Sequence, residues 1–178
     1  MGIQAKRLAD LLTATRLLIA GLILWMGVVG GPAALGSVVT ALVFGWLTDL
    51  LDGPLARRDP HALQTWLGDN DLAADVAVAF ALTAYMGLSG YFPLSLALLY
   101  LLLTTLAMER TRSAELGWAV QAPPYGAILY LALRHTPLQG ALALAYIGFV
   151  LIATWPRFPH QTLPQFLEGM KALLRRRP

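Results

Sequence analysis

Six long apolar stretches, separated by short segments that contain glycine, proline or charge, dominate this sequence of 178 residues. Hydrophobic residues make up 57% of the chain and charged residues only 13%, which is too apolar a balance for an ordinary soluble domain of this size. Each stretch approaches the roughly 20 residues that a bilayer core requires. The sequence therefore predicts an all-α, polytopic integral membrane protein, with a single domain over residues 1–178 and six transmembrane helices at about Leu11–Val29, Ala33–Leu51, Leu72–Leu88, Tyr91–Met108, Trp118–Leu133 and Leu138–Trp155.

Both ends of the chain contain segments that predict helices on the membrane surface. The tail from Gln161 to Pro178 has apolar residues at helical spacing and then three arginines, which favours a C-terminal interfacial helix in contact with anionic lipid. A solvated basic tail is the alternative interpretation. Ile3–Leu12 predicts a second interfacial helix at the N-terminus. The first apolar stretch is of full length and lacks a small-residue cleavage pattern, so we expect it to be retained rather than removed as a signal peptide.

Charge placement predicts the orientation in the membrane. If the N-terminus faces the cytoplasm, every loop or terminal lysine and arginine except Arg134 lies on the cytoplasmic side, as the positive-inside rule expects. All the acidic residues lie on that side too. We therefore expect a protein of the cell membrane whose termini and acidic cluster face the cytoplasm. The chain contains no cysteine, which excludes disulfides and thiolate metal sites.

Two prolines interrupt the fifth apolar stretch. Pro123 and Pro124 lack backbone N–H groups, so the pair predicts a kink or a break in that helix. A broken helix often lines a pocket, which would indicate a binding role for the break. A kink that serves only the packing of the helices is an equally good interpretation.

Four aspartates flank the loop between the second and third apolar stretches. Asp49 and Asp52 end one stretch, and Asp71 and Asp75 open the next. Spacings of three and four place each pair on one helix face, and a tight turn between antiparallel helices would aim all four carboxylates into one small volume. Clustered carboxylates repel one another, and divalent cations relieve that repulsion. We interpret the cluster as a cation-binding functional site rather than a set of ordinary helix-end carboxylates.

The residues beside the first pair suit a phosphate-containing ligand. Two hard cations held by carboxylates can neutralise a diphosphate and stabilise both the entering and the leaving oxygen. Gly53 allows a phosphate or a ribose to approach the backbone, and Ala56 keeps the same helix face uncrowded. Arg57 supplies the planar fork of donors that phosphate oxygens prefer.

The segment from Asp49 to Arg57 reads DxxDGxxAR, and the segment from Asp71 to Asp75 reads DxxxD. This pattern resembles the signature of the CDP-alcohol phosphatidyltransferases, membrane enzymes of phospholipid synthesis. The first half matches at every defined position. The second half departs from the pattern, because Gly68 lies one position too close to Asp71 and the loop after Arg57 has one extra residue. A one-residue shift in that loop would leave the register of the aspartates intact.

The resemblance extends to the Leu11–Arg16 opening of the first helix, and it implies roles for individual residues. Asp49, Asp52 and Asp71 would bind two divalent ions, with Mg²⁺ as the expected metal and Mn²⁺ as an alternative. Asp75 would both bind metal and act as the general base. The resemblance also implies a homodimer, and a CDP site made by Asp49, Asp52, Gly53, Ala56 and Arg57.

The reaction that the resemblance implies is attack by an acceptor hydroxyl on the lipid-side phosphorus of CDP-diacylglycerol, with release of CMP. The segment Glu109–Gly117 is similar to the arginine-rich segment of members whose acceptor carries a phosphate. Arg110 and Arg112 would bind that phosphate, although anchoring at the membrane surface is an alternative role. We expect the acceptor to be a small water-soluble phosphorylated polyol, and we favour glycerol 3-phosphate over inositol phosphate. The other expected partners are membrane lipids, and no nucleic acid is expected.

Acidic residues between apolar helices are also typical of divalent-cation transporters. Transport pathways place such acids near the middle of the bilayer, whereas these four aspartates lie at one edge of the predicted spans, next to an arginine. We therefore favour the enzyme and keep a transporter as the alternative of a different class.

Overall fold

The structure is a computed structural model that describes residues 2–56 and 71–175, with side chains for these residues other than 2–9, 49, 51–56, 71 and 174. Within those ranges it consists of helices and turns, without a β-strand, so the all-α prediction is confirmed. The elements are α1 (Gly2–Val29), a 3₁₀ turn (Gly31–Ala34), α2 (Leu35–Ala56), α3 (Asp71–Leu88), α4 (Leu94–Thr111), α5 (Ala114–Ala119), α6 (Ala122–His135), α7 (Pro137–Ala153), a π-helical segment (Phe158–Thr162) and α8 (Leu163–Arg175).

Three helical stretches of the described chain are long and apolar enough to cross a membrane, namely Asp10–Val29, Gly31–Thr48 and Leu94–Thr111. Pro137–Ala153 passes the same test only together with Phe158–Leu173, from which it is bent by 79°. The apolar part of α3 is shorter. The protein therefore has several apolar helices of spanning length, and the number of six spans stays a prediction. The 79° bend turns α8 away from the direction of α7, and the position of α8 at the membrane surface stays a prediction.

The N-terminal residues do not form a helix of their own. We predicted a separate surface helix over Ile3–Leu12, but α1 runs without a break from Gly2 to Val29. Residues 3–20 contain neither glycine nor proline, so no residue in this region favours a helix end. Residues 3–12 are therefore the first part of α1, and their position at the membrane surface stays a prediction.

The helix α1 makes the largest helix contacts of the bundle. It packs against α2 and α3 more extensively than any other two helices pack together, and α2 and α3 make few direct contacts over the described residues. Near the end of α1, the hydroxyl of Tyr85 on α3 donates to the backbone oxygen of Gly31 at 3.1 Å. On both helices, the contact between Arg16 of α1 and Asp75 of α3 lies at least two helical turns before the contact of Tyr85. Along both helices the contact between Arg16 and Asp75 comes first and the contact between Tyr85 and Gly31 comes second. The helices α1 and α3 therefore run parallel. The helix α2, which lies between them in the sequence, runs in the opposite direction.

The remaining contacts fix the direction of α6 and α7. Tyr125, near the start of α6, lies beside Asp75, and His135 at its end lies 5.9 Å from the ring of Tyr91. The hydroxyl of Tyr146 on α7 donates to the backbone oxygen of Trp46 on α2 at 2.6 Å. The chain therefore passes up and down through the bundle.

Charge lies mainly at one end of this bundle. Apart from Arg134 and His135, the charged residues in the described ranges lie at the end where α3 begins, and the opposite end consists of the glycine-containing and proline-containing turns. The predicted segregation of charge is therefore confirmed as a feature of the fold. Which side of the membrane that end faces stays a prediction.

Buried apolar side chains from α1, α2, α3, α6 and α7 form the core. Ile23, Val38 and Leu82 are wholly buried, and Ile128 is nearly so. Large apolar side chains also cover the outer surface, and α4 buries only Ala97 within the described chain. An apolar surface of this extent would be a liability in water. It suits a helix bundle whose outer surface contacts lipid.

The predicted break in the fifth apolar stretch is confirmed. It lies at Val120 and Gln121, between α5 and α6, so the single span predicted over Trp118–Leu133 is corrected to two helices. Pro123 and Pro124 stand in the first turn of α6, where a missing N–H costs no hydrogen bond. On α4, the hydroxyl of Tyr100 donates to the backbone oxygen of Val120 at 2.5 Å. The break is therefore tied to the neighbouring helix.

We expect Gly140→Ala to lower the melting temperature of the detergent-solubilised protein, because a methyl group at this position would lie 2.8 Å from the backbone nitrogen of Leu133. Backbone atoms of two packed helices cannot move apart without loss of other contacts, so the overpacking should cost about 1–3 kcal/mol. Gly148→Ala on the same helix is the matched control, since nothing lies within 4 Å of a methyl group there. Equal melting temperatures for the two variants would contradict the close α6–α7 crossing.

Candidate active site

Asp75 is the one aspartate of the predicted cluster whose side chain lies within the described part of the chain, and it forms an ion pair with Arg16. Nη1 of Arg16 contacts Oδ1 of Asp75, which joins α1 to the second turn of α3. The side chain of Arg16 is 2% exposed and that of Asp75 is 26% exposed. The arginine is therefore enclosed by protein, whereas the carboxylate reaches the surface of the site.

Arg16 lies well inside an apolar helix. It stands six residues after Asp10, where the apolar stretch of α1 begins, which corresponds to about 9 Å along the helix axis. One turn earlier, the buried hydroxyl of Thr13 lies 3.4 Å from Nη2 of Arg16. Burying a guanidinium costs free energy unless an opposite charge and hydrogen-bond acceptors accompany it. Asp75 supplies the charge, and Thr13 supplies an additional acceptor.

The other predicted metal and CDP residues are placed through their backbones. Asp49, Asp52, Gly53 and Ala56 lie in the last two turns of α2, and Asp71 is the first residue of α3. The spacings of three and four therefore occur on helices, as predicted. Arg57 and the loop that contains Gly68 lie outside the described residues. The convergence of all four carboxylates and the register of that loop stay predictions.

An aromatic cluster packs beside α3 at the level of Asp75. The hydroxyl of Tyr125 lies 3.3 Å from Oε1 of Gln121 and 3.5 Å from the backbone oxygen of Asp75. The ring of Tyr125 meets the edge of Trp46 with centroids 5.4 Å apart, and Trp46 stacks on Tyr146 at 5.9 Å. Since Trp46 stands one turn before Asp49 on α2, this cluster connects both aspartate-bearing helices with the break before α6.

The predicted acceptor residues lie at the same end of the bundle. Arg110 and Arg112 are exposed and lie at the end of α4, where Arg112 adopts a left-handed backbone conformation with φ of 47°. The following helix, α5, packs on the first turn of α3. At Gly117 the contact is so close that an added methyl group would lie 2.9 Å from the Leu72 side chain. The helix that follows the two arginines is therefore held against the first turn of α3, which begins at Asp71.

A cavity of about 330 Å³ lies between this segment and α8. Arg112, Ser113 and Glu115 line one side, and residues of α8 that include Gly169 line the other. The hydroxyl of Ser113 donates to Oε2 of Glu115 at 2.6 Å. A methyl group at Gly169 would lie 2.4 Å from Cγ of Glu115, so glycine is what allows α8 to approach here. Arg110 does not line this cavity, and the two arginines are therefore not equivalent.

Comparison with known protein families decides the class of this site. The sequence model of the CDP-alcohol phosphatidyltransferases matches residues 6–170, which is nearly the whole chain. The protein belongs to the CDP-alcohol phosphatidyltransferase family. The family resemblance that the aspartate pattern indicated is thereby confirmed, together with membership of a family of transferases that act on CDP-alcohols. No curated protein and no solved structure matches the chain.

The donor set of this phosphatidyltransferase fits divalent cations in its chemistry. Carboxylate oxygens are the ligands that Mg²⁺ prefers, and two helices present two aspartates each at the same end of the bundle. The described side chains contain no group of three metal-binding residues, and Asp75 is the sole member of the predicted set among them. Asp49, Asp52, Asp71 and Asp75 are the residues that would hold the metal.

Arg16 and Tyr125 are the site residues that sequence reasoning missed. A charge inside an apolar helix is expensive and marks a functional or paired group, so Arg16 carried a signal of its own in the first apolar stretch. Its partner could not be read from the sequence, because 59 positions separate it from Asp75. Tyr125 carried no signal, since an aromatic residue in an apolar helix is ordinary.

Proposed function

We propose that this phosphatidyltransferase transfers the phosphatidyl group of CDP-diacylglycerol to a hydroxyl of a small phosphorylated polyol, with release of CMP. Glycerol 3-phosphate is the favoured acceptor, and inositol phosphate is the alternative. The observation that carries this proposal is the packing of α5 on the first turn of α3. In a family of CDP-alcohol enzymes, this packing supports an acceptor site that the exposed arginine segment forms near the aspartates.

The proposed reaction is a direct displacement. The acceptor oxygen bonds to the lipid-side phosphorus, and the bond from that phosphorus to the CMP oxygen breaks with its electron pair leaving on CMP. Asp75 takes the proton of the acceptor hydroxyl, a role that its partly exposed carboxylate can perform. Two Mg²⁺ ions, with Mn²⁺ as an alternative, would neutralise the diphosphate charge when bound to the four aspartates.

The residues of α2 would hold the nucleotide in this proposal. Gly53 and Ala56 lie on the last turns of α2, where short side chains leave the backbone accessible to a phosphate or ribose. Arg57 follows directly and would bind a phosphate. Trp46 and Tyr125 pack against each other beneath this end of α2, which gives the proposed nucleotide site a rigid support.

We propose that the active end of the bundle faces the cytoplasm, where CDP groups and water-soluble acceptors are present. The concentration of described charge at that end supports this orientation. We also propose a homodimer. The outer face of α4, which buries only Ala97 within the described chain, is a surface that a second copy or lipid would cover. The mass of the detergent-solubilised protein, measured by light scattering, tests the dimer.

The function is tested with purified protein, CDP-diacylglycerol and Mg²⁺, by measuring CMP release with a panel of acceptors. We expect glycerol 3-phosphate to give the fastest release. Faster release with inositol phosphate would change the acceptor but keep the reaction, and no release with any alcohol would contradict the enzyme. Divalent-cation uptake into proteoliposomes without CMP release would favour the transporter instead.

We expect Arg112→Ala to raise the KM for the phosphorylated acceptor about 10- to 100-fold, with little change in the KM for CDP-diacylglycerol. A hydrogen bond to a charged group contributes about 1.5–3 kcal/mol, which corresponds to that range. Arg110→Ala should have a smaller effect, because Arg110 does not line the cavity beside α8. Steady-state kinetics with each substrate varied in turn measures both constants.

The matched control for these arginines is Arg157→Ala, which removes another exposed arginine from the same end of the bundle. It should leave both KM values unchanged. If Arg112→Ala and Arg157→Ala alter the two KM values alike, the arginines of α4 anchor the protein at the membrane surface and do not bind the acceptor.

A further inference from the structure

We propose that Arg16 is a positioning residue that holds the carboxylate of Asp75 in the orientation needed for proton transfer. The inference rests on the proposed function of Asp75 as the base. It concerns a residue of α1 that lies outside the aspartate motif by sequence and meets it only in the folded protein.

In this ion pair the arginine is buried, whereas the aspartate, which is the proposed base, is partly exposed. The Arg16 side chain is 2% exposed, so its guanidinium is fixed by protein on nearly all sides. Asp75 is 26% exposed and can meet a substrate. Because Nη1 contacts Oδ1, the carboxylate cannot rotate about its side-chain bonds without breaking the ion pair. The buried guanidinium thus limits the orientations that the exposed carboxylate can adopt.

The two helices that carry the pair form one of the most extensively packed interfaces of the bundle. Further along it, Gly27 allows α1 to approach α3 so closely that an added methyl group would lie 3.3 Å from the backbone Cα of Tyr85. Thr13 of α1 lies beside the guanidinium of Arg16, and Tyr125 of α6 lies beside the backbone oxygen of Asp75. A side chain fixed between rigid elements is suited to positioning a reacting group.

A buried ion pair can also serve structure alone, and the two roles differ in what they change. A group that only stabilises the fold would lower the amount of active protein or alter substrate binding. A group that orients the base affects the chemical step, so kcat should fall while the KM of each substrate stays the same. A misplacement of about 1 Å in a catalytic group can cost about 100-fold in rate.

The experiment compares Arg16→Met and Arg16→Lys with the wild-type protein in the CMP-release assay. We expect Arg16→Met to lower kcat about 100-fold and Arg16→Lys about 10-fold, because an ammonium group restores the charge without the planar donor fork. Both KM values should stay within about threefold of the wild-type values. Arg134→Met is the matched control, since it makes the same substitution at an exposed arginine at the other end of the bundle, and it should keep the wild-type kcat.

Two results would overturn the proposal. One is an Arg16→Lys enzyme with the wild-type kcat, a test that remains available if Arg16→Met does not fold. The other is a loss of rate in Arg16→Met that appears in the KM values rather than in kcat. If the wild-type protein releases no CMP from any acceptor, the proposed function fails instead, and the positioning role of Arg16 fails with it.

A measurement without catalysis tests the ion pair itself. The melting temperatures of Arg16→Met, Asp75→Asn and the double variant form a double-mutant cycle. We expect the melting temperature of the double variant to fall by less than the sum of the two single decreases. Each single variant leaves one member of the ion pair without its opposite charge, and the double variant removes that remaining group as well. Additive losses would show that Arg16 and Asp75 do not interact, and would overturn the positioning role.

Discussion

Asp75→Asn should fold yet release CMP about a thousandfold more slowly than the wild-type protein. Asparagine has the same shape as aspartate but takes up no proton at neutral pH, and general-base catalysis typically contributes about 10²- to 10⁴-fold. The amide oxygen can still accept a hydrogen bond from Arg16, so the contact between α1 and α3 is retained in part. The measurement is single-turnover CMP release, which separates the chemical step from substrate binding.

The matched control for this variant is Glu168→Gln, which likewise replaces a carboxylate by an amide, at an exposed acid of α8. Its rate should equal that of the wild-type protein. Size-exclusion profiles and melting temperatures of both variants show whether each is folded. Robust turnover by a folded Asp75→Asn protein would remove the proposed base and leave the arrangement around Arg16 as a structural ion pair.

The aspartate motif was readable from the sequence because its information is local. Spacings of three and four have a meaning on any helix, and a run of apolar residues on each side fixes where the helices are. The structure accordingly places Asp52 at the end of α2 and Asp71 at the start of α3. The charge segregation was also readable, since it requires only the order of spans along the chain.

The environment of Asp75 could not be predicted in the same way. It depends on which helices touch, and a hydrophobic pattern does not choose between neighbours in a bundle. The sequence predicts α2 and α3 as antiparallel helices on either side of a turn, but it does not predict that α1 packs against both of them. That placement brings Arg16 to Asp75. The ion pair is therefore a consequence of helix order in space.

The proline pair shows why the position of a break is harder to predict than its existence. Proline cannot donate the hydrogen bond of a helix interior, which predicts a break. The same residue is favoured in the first turn of a helix, so the break falls before Pro123 rather than at it. The result places Gln121 beside Tyr125 and hence close to Asp75. The break therefore lies near the proposed site, and its role there stays a prediction.

Removal of divalent cations should abolish CMP release completely, and addition of Mg²⁺ should restore it. Four carboxylates at one end of a helix bundle would repel both one another and a diphosphate, so without cations the donor substrate should neither bind nor react. The measurement is CMP release after treatment with EDTA, followed by titration with Mg²⁺ and, separately, Mn²⁺. An equal ionic strength of potassium chloride should not restore the rate.

The matched variants for this experiment are Asp49→Asn, Asp52→Asn and Asp71→Asn. Each removes one predicted metal-binding carboxylate, so each should raise the Mg²⁺ concentration that gives the half-maximal rate. Glu109→Gln, an exposed acid at the end of α4, should leave that concentration unchanged. Full activity in EDTA would exclude the proposed metal site. Arginines such as Arg57 would then neutralise the charge of the diphosphate.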